Sequence, residues 1–414
     1  MKGVLVCLAL GAAATLARAQ GLQLAPLVEE ALRSNRDILA AQKRYEAARQ
    51  RPRQAGALPD PTFSVGYQSN GSPLPGAGLG SMPTSNIGVS ITQPLPYPGK
   101  RQLRETLAAK EADAEAAQVQ IVQLGVVRRL KLAYSHLQHA YAGIEVIERN
   151  REMLNQMLRI TEARYASGSA AQQDIIKGQI QLTMVEAKTV QLQQERLAAE
   201  AEILSALNRK PSELLGRPVD VDPREMAVSM EEMFARATIE APKLQFEQKK
   251  IEKTEVSLNL ARKDYYPDYA ITGGYYNMGL LAPMYMARLD FTLPVFAFRK
   301  QRSAMTEQYN NLSAARREFE AADQMIHARI RTDYAAAQTA FQLMKLYRDT
   351  AIPQAKLALE SALTSYQTGA VDYLSVLTNH MAITDFELNY HDQRQAYRDA
   401  LGRLEEATGM LLVQ

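Results

Sequence analysis

Five histidines and one cysteine make up the side chains of this sequence best suited to metal or nucleophilic chemistry, and their spacing builds little. His136 and His139 lie one helical turn apart and could share a metal ion, but no third ligand stands near them, and each is also an ordinary polar position beside an apolar seam. His327, His380 and His391 are scattered. Cys7 is the single cysteine and lies in the first apolar run, so a chain cut near Gln20 carries no thiol, no disulfide framework and no thiolate metal site. Asp174 and Asp372 each follow a glycine by a few residues where a helical pattern restarts, the place where a carboxylate accepts capping bonds from backbone N–H groups. No G-x-S-x-G, H-E-x-x-H or P-loop is present, and the acidic residues fall at spacings that suit i,i+4 pairs better than a catalytic dyad. An enzyme is not expected, and neither is a cofactor.

The elements that carry these residues are of two kinds. Lys100 to Asn208 lacks proline and is rich in Ala, Leu, Gln, Glu and Arg, all strong helix formers. Val127, Leu130, Tyr134, Leu137, Tyr141 and Ile144 advance by three and four residues, and the pattern resumes at Leu154, Leu158, Thr161 and Tyr165. That narrow stripe is a coiled-coil seam. The run breaks at Ser167-Gly168-Ser169, where glycine can end a helix in the left-handed conformation. A continuous helix up to that break would extend roughly 100 Å at 1.5 Å per residue.

The second kind has a period of two. Phe63, Val65 and Tyr67 alternate with Thr62, Ser64, Gly66 and Gln68, and Ile87, Val89 and Ile91 alternate with Gly88, Ser90 and Thr92. Tyr269 and Ile271 open a third such segment. In the fourth, Tyr285, Ala287, Leu289, Phe291 and Leu293 alternate with Met286, Arg288, Asp290 and Thr292, so a charged pair sits opposite an apolar face. Strands with one apolar and one polar face suit a sheet packed on a helix, and they equally suit a transmembrane barrel with lipid outside and water inside. Tyrosine favours the barrel: Tyr67, Tyr97, Tyr265, Tyr266, Tyr269, Tyr275, Tyr276 and Tyr285 cluster in or beside the strands, as in an interfacial girdle, and the sequence has no tryptophan. Four strands cannot close alone, so such a barrel is shared between subunits.

The chain is a tandem duplication. Thr92, Pro94, Lys100 and Tyr134 are answered about two hundred residues later by Thr292, Pro294, Lys300 and Tyr334, and Tyr165 and Gly168 in R-Y-A-S-G by Tyr366 and Gly369 in S-Y-Q-T-G. Lys2, the apolar run Val4 to Leu16 and Ala17-Arg18-Ala19 form an export leader over residues 1–19. The first repeat spans 20–209, with an opening helix, a β-hairpin at 61–94 and a helical hairpin at 100–208. A linker at 210–223 follows. The second repeat spans 224–414, with its helix, a β-hairpin at 267–294 and a helical hairpin at 300–409. The opening helices, around Leu27 to Arg51 and Met230 to Lys263, end near Leu58-Pro59-Asp60-Pro61 and Tyr266-Pro267-Asp268. The polar loop Asn70 to Ser85 is expected at the outer end of the barrel.

With 48 Lys and Arg against 45 Asp and Glu the net charge is +3, and cations interleave with anions, so nucleic-acid binding has no support. Mean hydropathy is −0.27 and no later stretch is apolar enough for a spanning helix, so a membrane-crossing part is made of strands.

The leader, the duplicated helix and hairpin units and the paired Y-A-S-G and Y-Q-T-G signatures resemble the TolC-like outer-membrane efflux factors over nearly the whole mature chain. The stretch Gln93 to Lys100, with Leu58-Pro59-Asp60-Pro61 before it, is similar to the heavy-metal efflux branch. The resemblance implies a mainly α fold of long coiled-coil hairpins with four membrane strands per subunit, a homotrimer with a twelve-stranded barrel in outer-membrane lipid, and an α-helical tunnel across the periplasm. It implies a passive exit duct that meets a periplasmic adaptor and, through it, an inner-membrane pump of the resistance-nodulation-division type. The resemblance assigns Tyr165, Gly168, Tyr366 and Gly369 to the tunnel tip and adaptor docking. It makes Asp174, Asp372, Ser375 and Thr378 candidates for the narrow point, where carboxylates repeated around an axis would favour cations. Arg288 and Asp290 are candidates for the barrel lumen. An outlet for type I protein secretion and a non-porous periplasmic scaffold are the alternatives.

Overall fold

The computed structural model describes residues 21–69 and 73–412. The leader and the first residues of the Asn70 to Ser85 loop lie outside them. In chain order the described elements are α1 (Leu24–Ser34), α2 (Arg36–Ala48), α3 (Arg51–Gly56), β1 (Thr62–Gln68), β2 (Asn86–Leu95), α4 (Lys100–Ala166) and α5 (Gln172–Leu207). The second half contains α6 (Met230–Glu240), α7 (Pro242–Lys263), β3 (Asp268–Asn277), β4 (Met284–Thr292), α8 (Lys300–Leu346), a π turn (Tyr347–Ala351), α9 (Ile352–Gln367) and α10 (Tyr373–Thr408). The fold is mainly helical with one small antiparallel sheet.

The opening helices are broken where sequence periodicity predicts continuity. Asn35 leaves the helical region with ψ 129°, and its side-chain oxygen accepts the Asp37 N–H at 2.9 Å, so it ends α1 and caps α2. In the second half Pro242, which has no N–H to donate, starts α7 directly after Ala241.

Two compact units emerge, each built from segments of both halves. Of the described residues, one comprises 21–40, 120–242 and 323–412. In it Val126, Leu130, Ala133, Tyr134 and Leu137 of α4 pack with Ile203 and Leu207 of α5 and with Leu27, Ala31 and Ile38. Farther along, Leu154 and Met157 pack with Leu192, Leu359, Tyr366 and Tyr373. The seam is therefore real, with one correction: after Leu154 it runs through Met157 and Thr161, and Tyr165 is exposed. Its turn of α4 faces outward because the pattern ends before the helix does. The 210–223 linker is held to α10, where Arg394 binds the Asp220 carboxylate and Arg398 the Val221 carbonyl.

The other unit comprises, of the described residues, 41–69, 73–119 and 243–322. It contains the sheet, in the order β1-β2-β3-β4, every neighbour antiparallel. The central pair joins the two halves: β2 of the first lies beside β3 of the second, with Val89 opposite Tyr275 and Thr92 opposite Thr272. Ile251 and Leu258 of α7 pack with Leu312 and Ala315 of α8, and Lys110 with Glu252 (2.8 Å) and Lys250 with Glu318 (2.6 Å) are ion pairs within this unit.

The π turn has a counterpart in the numbering. Tyr134 and Tyr334 are 200 residues apart, whereas Tyr165 and Tyr366 are 201 apart, so the second half has one residue more between them. A helix accommodates one extra residue by widening a single turn to i→i+5 bonding, and that turn is present at Tyr347–Ala351. Pro353, at the start of α9, lacks the N–H that would have tied it back into a regular ladder.

Candidate functional site

The sheet is inverted with respect to water. Phe63, Ile91, Gly273 and Ala287 form one row across its four strands, and Val65, Val89, Tyr275 and Tyr285 another on the same face. This apolar face is open: Val65 is 70% exposed and Tyr285 76%. The opposite face carries the row Thr62, Thr92, Thr272 and Arg288, yet it is the better covered one, with Thr272 2% exposed beside Ile271 at 53%. In β2 Asn86 and Gly88 are buried while Ile87 and Val89 are exposed. A water-soluble sheet does the reverse, and a contiguous apolar face of this kind marks a surface meant for lipid or another chain.

The polar face curls over small residues. The Tyr276 ring lies across Gly88 and Gly274, so close that a Cβ on Gly88 would sit 2.1 Å from it. Thr92 and Thr272 share a hydroxyl hydrogen bond of 2.9 Å, and Arg288 and Asp290, two apart on β4, pair at 3.0 Å on this side. The tyrosines fall at two levels. Tyr269 meets Tyr97 (6.3 Å) and Phe291 (5.5 Å), while Tyr275 meets Tyr285 (5.5 Å) six residues along β3, about 20 Å farther at strand rise. Two aromatic levels flanking an apolar band about 25 Å tall are the mark of a membrane strand. Beyond the second level the loop before β2 folds onto the β3–β4 turn, where Gly80 N–H donates to the Met278 carbonyl (2.9 Å). Strands β1 and β4 have no strand partner on their outer sides among the described residues.

The two helical turns share one backbone. Gly168 (φ 72°) and Gly369 (φ 79°) take the left-handed conformation that ends α4 and α9. Ser169 N–H reaches back to Arg164 O (2.7 Å) and Gly168 N–H to Tyr165 O (2.9 Å); Ala370 and Gly369 repeat both bonds, to Ser365 O (2.9 Å) and Tyr366 O (3.1 Å). The side chains then diverge. Asp372 is the N-cap of α10 and accepts the Ser375 N–H at 2.9 Å, whereas its counterpart at the N-cap of α5 is Ala171, which has no capping side chain. Asp174 lies three residues farther on, in the first turn of α5, where no hydrogen bond or ion pair engages its carboxylate among the described residues. It aligns with Ser375, not with Asp372. The Thr378 hydroxyl is spent on the Leu374 carbonyl (2.8 Å).

Arg164, Tyr373 and Gly178 are the residues that sequence reasoning passed over. Arg164 sits 4.4 Å over the Tyr366 ring, donates to the Tyr366 carbonyl and lies 3.4 Å from Ser169 O, so it laces the two turns together. Its counterpart is Ser365, and that inequality between R-Y-A-S-G and S-Y-Q-T-G was the available signal. Tyr366, whose hydroxyl lies 3.4 Å from Thr161 Oγ1, and Tyr373 stack obliquely at 6.0 Å. The Tyr373 hydroxyl has no hydrogen-bond partner among the described residues, and burial pushes its pKa up to about 12. Gly178 makes room for it: a Cβ there would be 2.7 Å from that oxygen.

Four of the five histidines find carboxylates or carbonyls. His136 meets Asp399 (3.3 Å) and His139 meets Asp392 (2.7 Å), both on α10. His327 lies by the Asp323 carbonyl (2.8 Å) and His380 by that of Asn150 (3.1 Å). Burial, aided by Arg394, drives His391 down to about 4, so it is neutral at pH 7. No three potential ligands gather among the described residues. No described helix is long and apolar enough to cross a membrane.

The sequence profile of the outer membrane efflux proteins matches residues 27–209 and 234–410. The chain belongs to that family. No curated protein matches its sequence at a significant level. The fold is shared with the outer membrane protein VceC of Vibrio cholerae (18% identity, TM-score 0.78, 93% of this chain and 96% of that one). It is likewise similar to the open-state MtrE channel of Neisseria gonorrhoeae (16%, 0.76, 93% and 88%) and to CusC (17%, 0.77, 93% and 92%). At these identities the likeness speaks for the fold alone. As an outer membrane efflux protein the chain resides in the outer membrane and extends into the periplasm. Channels of this family are conduits without catalysis that work with an adaptor and an inner-membrane pump.

Proposed function

We propose that this chain forms, as a homotrimer, the exit duct of a tripartite efflux system. Each subunit gives four strands to a twelve-stranded barrel, and the turns at Gly168 and Gly369 form the end that meets a periplasmic adaptor and, through it, a pump of the resistance-nodulation-division type. The observation that carries this reading is the inverted sheet: an apolar face open to the surroundings, a polar face turned inward and two edges without a strand partner among the described residues. Open edges in hydrocarbon leave backbone groups without partners at several kcal/mol each, so closure by further copies follows. Arg288 and Asp290 then line the lumen, and Asp174 and Asp372 stand where the conduit narrows.

The cargo is a heavy-metal cation or another small toxic compound, a reading supported by the proline-rich stretch Gln93 to Lys100. Purified protein added to a planar bilayer should give discrete single-channel currents, and deletion of its gene should sensitise cells to metals or small toxicants. Loss of one exported polypeptide with unchanged sensitivity would indicate a secretion outlet instead, and absence of any conductance a scaffold.

A further inference from the structure

The duplication leaves one junction filled and its twin empty. In the first half the chain leaving β2 through Leu95-Pro96-Tyr97-Pro98-Gly99 reaches Lys100, and that lysine is 3% exposed. Its Nζ lies 2.9 Å from Asp268 Oδ1 and donates to the Tyr266 carbonyl at 3.1 Å, while the Tyr97 N–H donates to the same carboxylate at 2.7 Å. Tyr97 also stacks on Tyr266 at 4.6 Å. The segment leaving one strand thus locks into the Tyr266-Pro267-Asp268 segment that enters its antiparallel neighbour, β3.

The second half carries the same parts without the contact. The chain leaving β4 through Val295-Phe296-Ala297-Phe298-Arg299 reaches Lys300, the counterpart of Lys100, and Lys300 is exposed with no ion pair among the described residues. Phe296 is 72% exposed and Phe298 88%. The matching Pro-Asp segment is Leu58-Pro59-Asp60-Pro61 ahead of β1, where Asp60 is also exposed, with no ion pair among the described residues. Within one chain the two cannot join as the first pair does, because β4 and β1 are the opposite edges of the sheet, three strand spacings of about 4.8 Å apart.

We infer that the empty junction is completed by a second copy of this chain: Lys300 pairs with Asp60 of the adjacent subunit, and Phe296 and Phe298 cover its Leu58, Pro59 and Pro61. The inference rests on the trimer reading and adds to it the contact that locks each β4 edge to the next β1 edge at the foot of the barrel. Charge and apolar surface are complementary on the two sides, and the first half supplies the working example of the same contact.

The mature sequence lacks cysteine, so an Asp60→Cys, Lys300→Cys double variant can be oxidised with copper-phenanthroline and read on a non-reducing gel. Most chains should migrate as two- and three-chain species, and neither single variant should do so. Lys300→Asp and Asp60→Lys should each reduce the trimeric fraction severalfold, and the combined swap should restore it. A wild type that measures three chains in detergent, with no cross-linking of the cysteine pair and no rescue by the swap, overturns the junction and leaves the trimer standing. A wild type that measures one chain removes both.

Discussion

The turn after α4 and the turn after α9 have nearly one backbone and two chemistries. Both end on a left-handed glycine and close with the same pair of backward hydrogen bonds, yet Ala171, Gln172 and Asp174 of the first stand where Asp372, Tyr373 and Ser375 stand in the second. After duplication the geometry that reverses a helix was retained while the side chains took separate tasks. The second turn supplies the structural parts, a capped α10 and the buried Tyr373. The first turn supplies Arg164, which binds the second, and an uncommitted carboxylate at Asp174.

The largest effect that would sharpen this division is at Tyr373. Its ring is almost fully buried and its counterpart Gln172 is exposed, so Tyr373→Ala should cost about 3–5 kcal/mol and Gln172→Ala close to nothing, read by denaturant unfolding in detergent. Tyr373→Phe should be nearly neutral, because the hydroxyl it removes has no partner among the described residues. Comparable losses at 172 and 373 would break the comparison.

Next come the glycines, where the turns should behave alike. Gly168→Ala and Gly369→Ala each force a Cβ into the left-handed region and should each lower stability by about 1–2 kcal/mol. A several-fold disparity would mean that the shared backbone is not shared under load.

The smallest effects are at the aspartates. Asp372→Ala removes a cap and should cost about 1 kcal/mol, while Asp372→Asn keeps an accepting oxygen and should cost a few tenths. Asp174→Asn should leave stability unchanged and, if Asp174 faces the permeation path, should weaken cation preference in planar bilayers. A stability loss at Asp174 equal to that of Asp372→Ala would erase the distinction between the two turns.

Much of this was legible in the residues. Period-two alternation marked all four strands and which face was apolar, since a strand's side chains must alternate. The π turn was also on the page, as a spacing that slips from 200 to 201 between Tyr334 and Tyr366. The breaks at Asn35 and Pro242 carried their ordinary signals, a capping side chain and a residue without an N–H, but apolar spacing continues across both and masks them. Asp174 and Asp372 both carry the signal of a helix cap, an aspartate soon after a turn glycine, and only the register of the two turns shows that Asp372 is the N-cap while Asp174 stands three residues past it. A lone arginine such as Arg164 gives no periodic signal, for its role depends on a ring and a carbonyl some two hundred residues away.

The central claim is that the inverted sheet is one third of a closed wall. The mass of the detergent-extracted protein, measured with the detergent contribution subtracted, tests it directly. Three chains per particle, with no folded single chain on dilution, is the result expected of strands that cannot close alone. A stable, folded particle of one chain would contradict it.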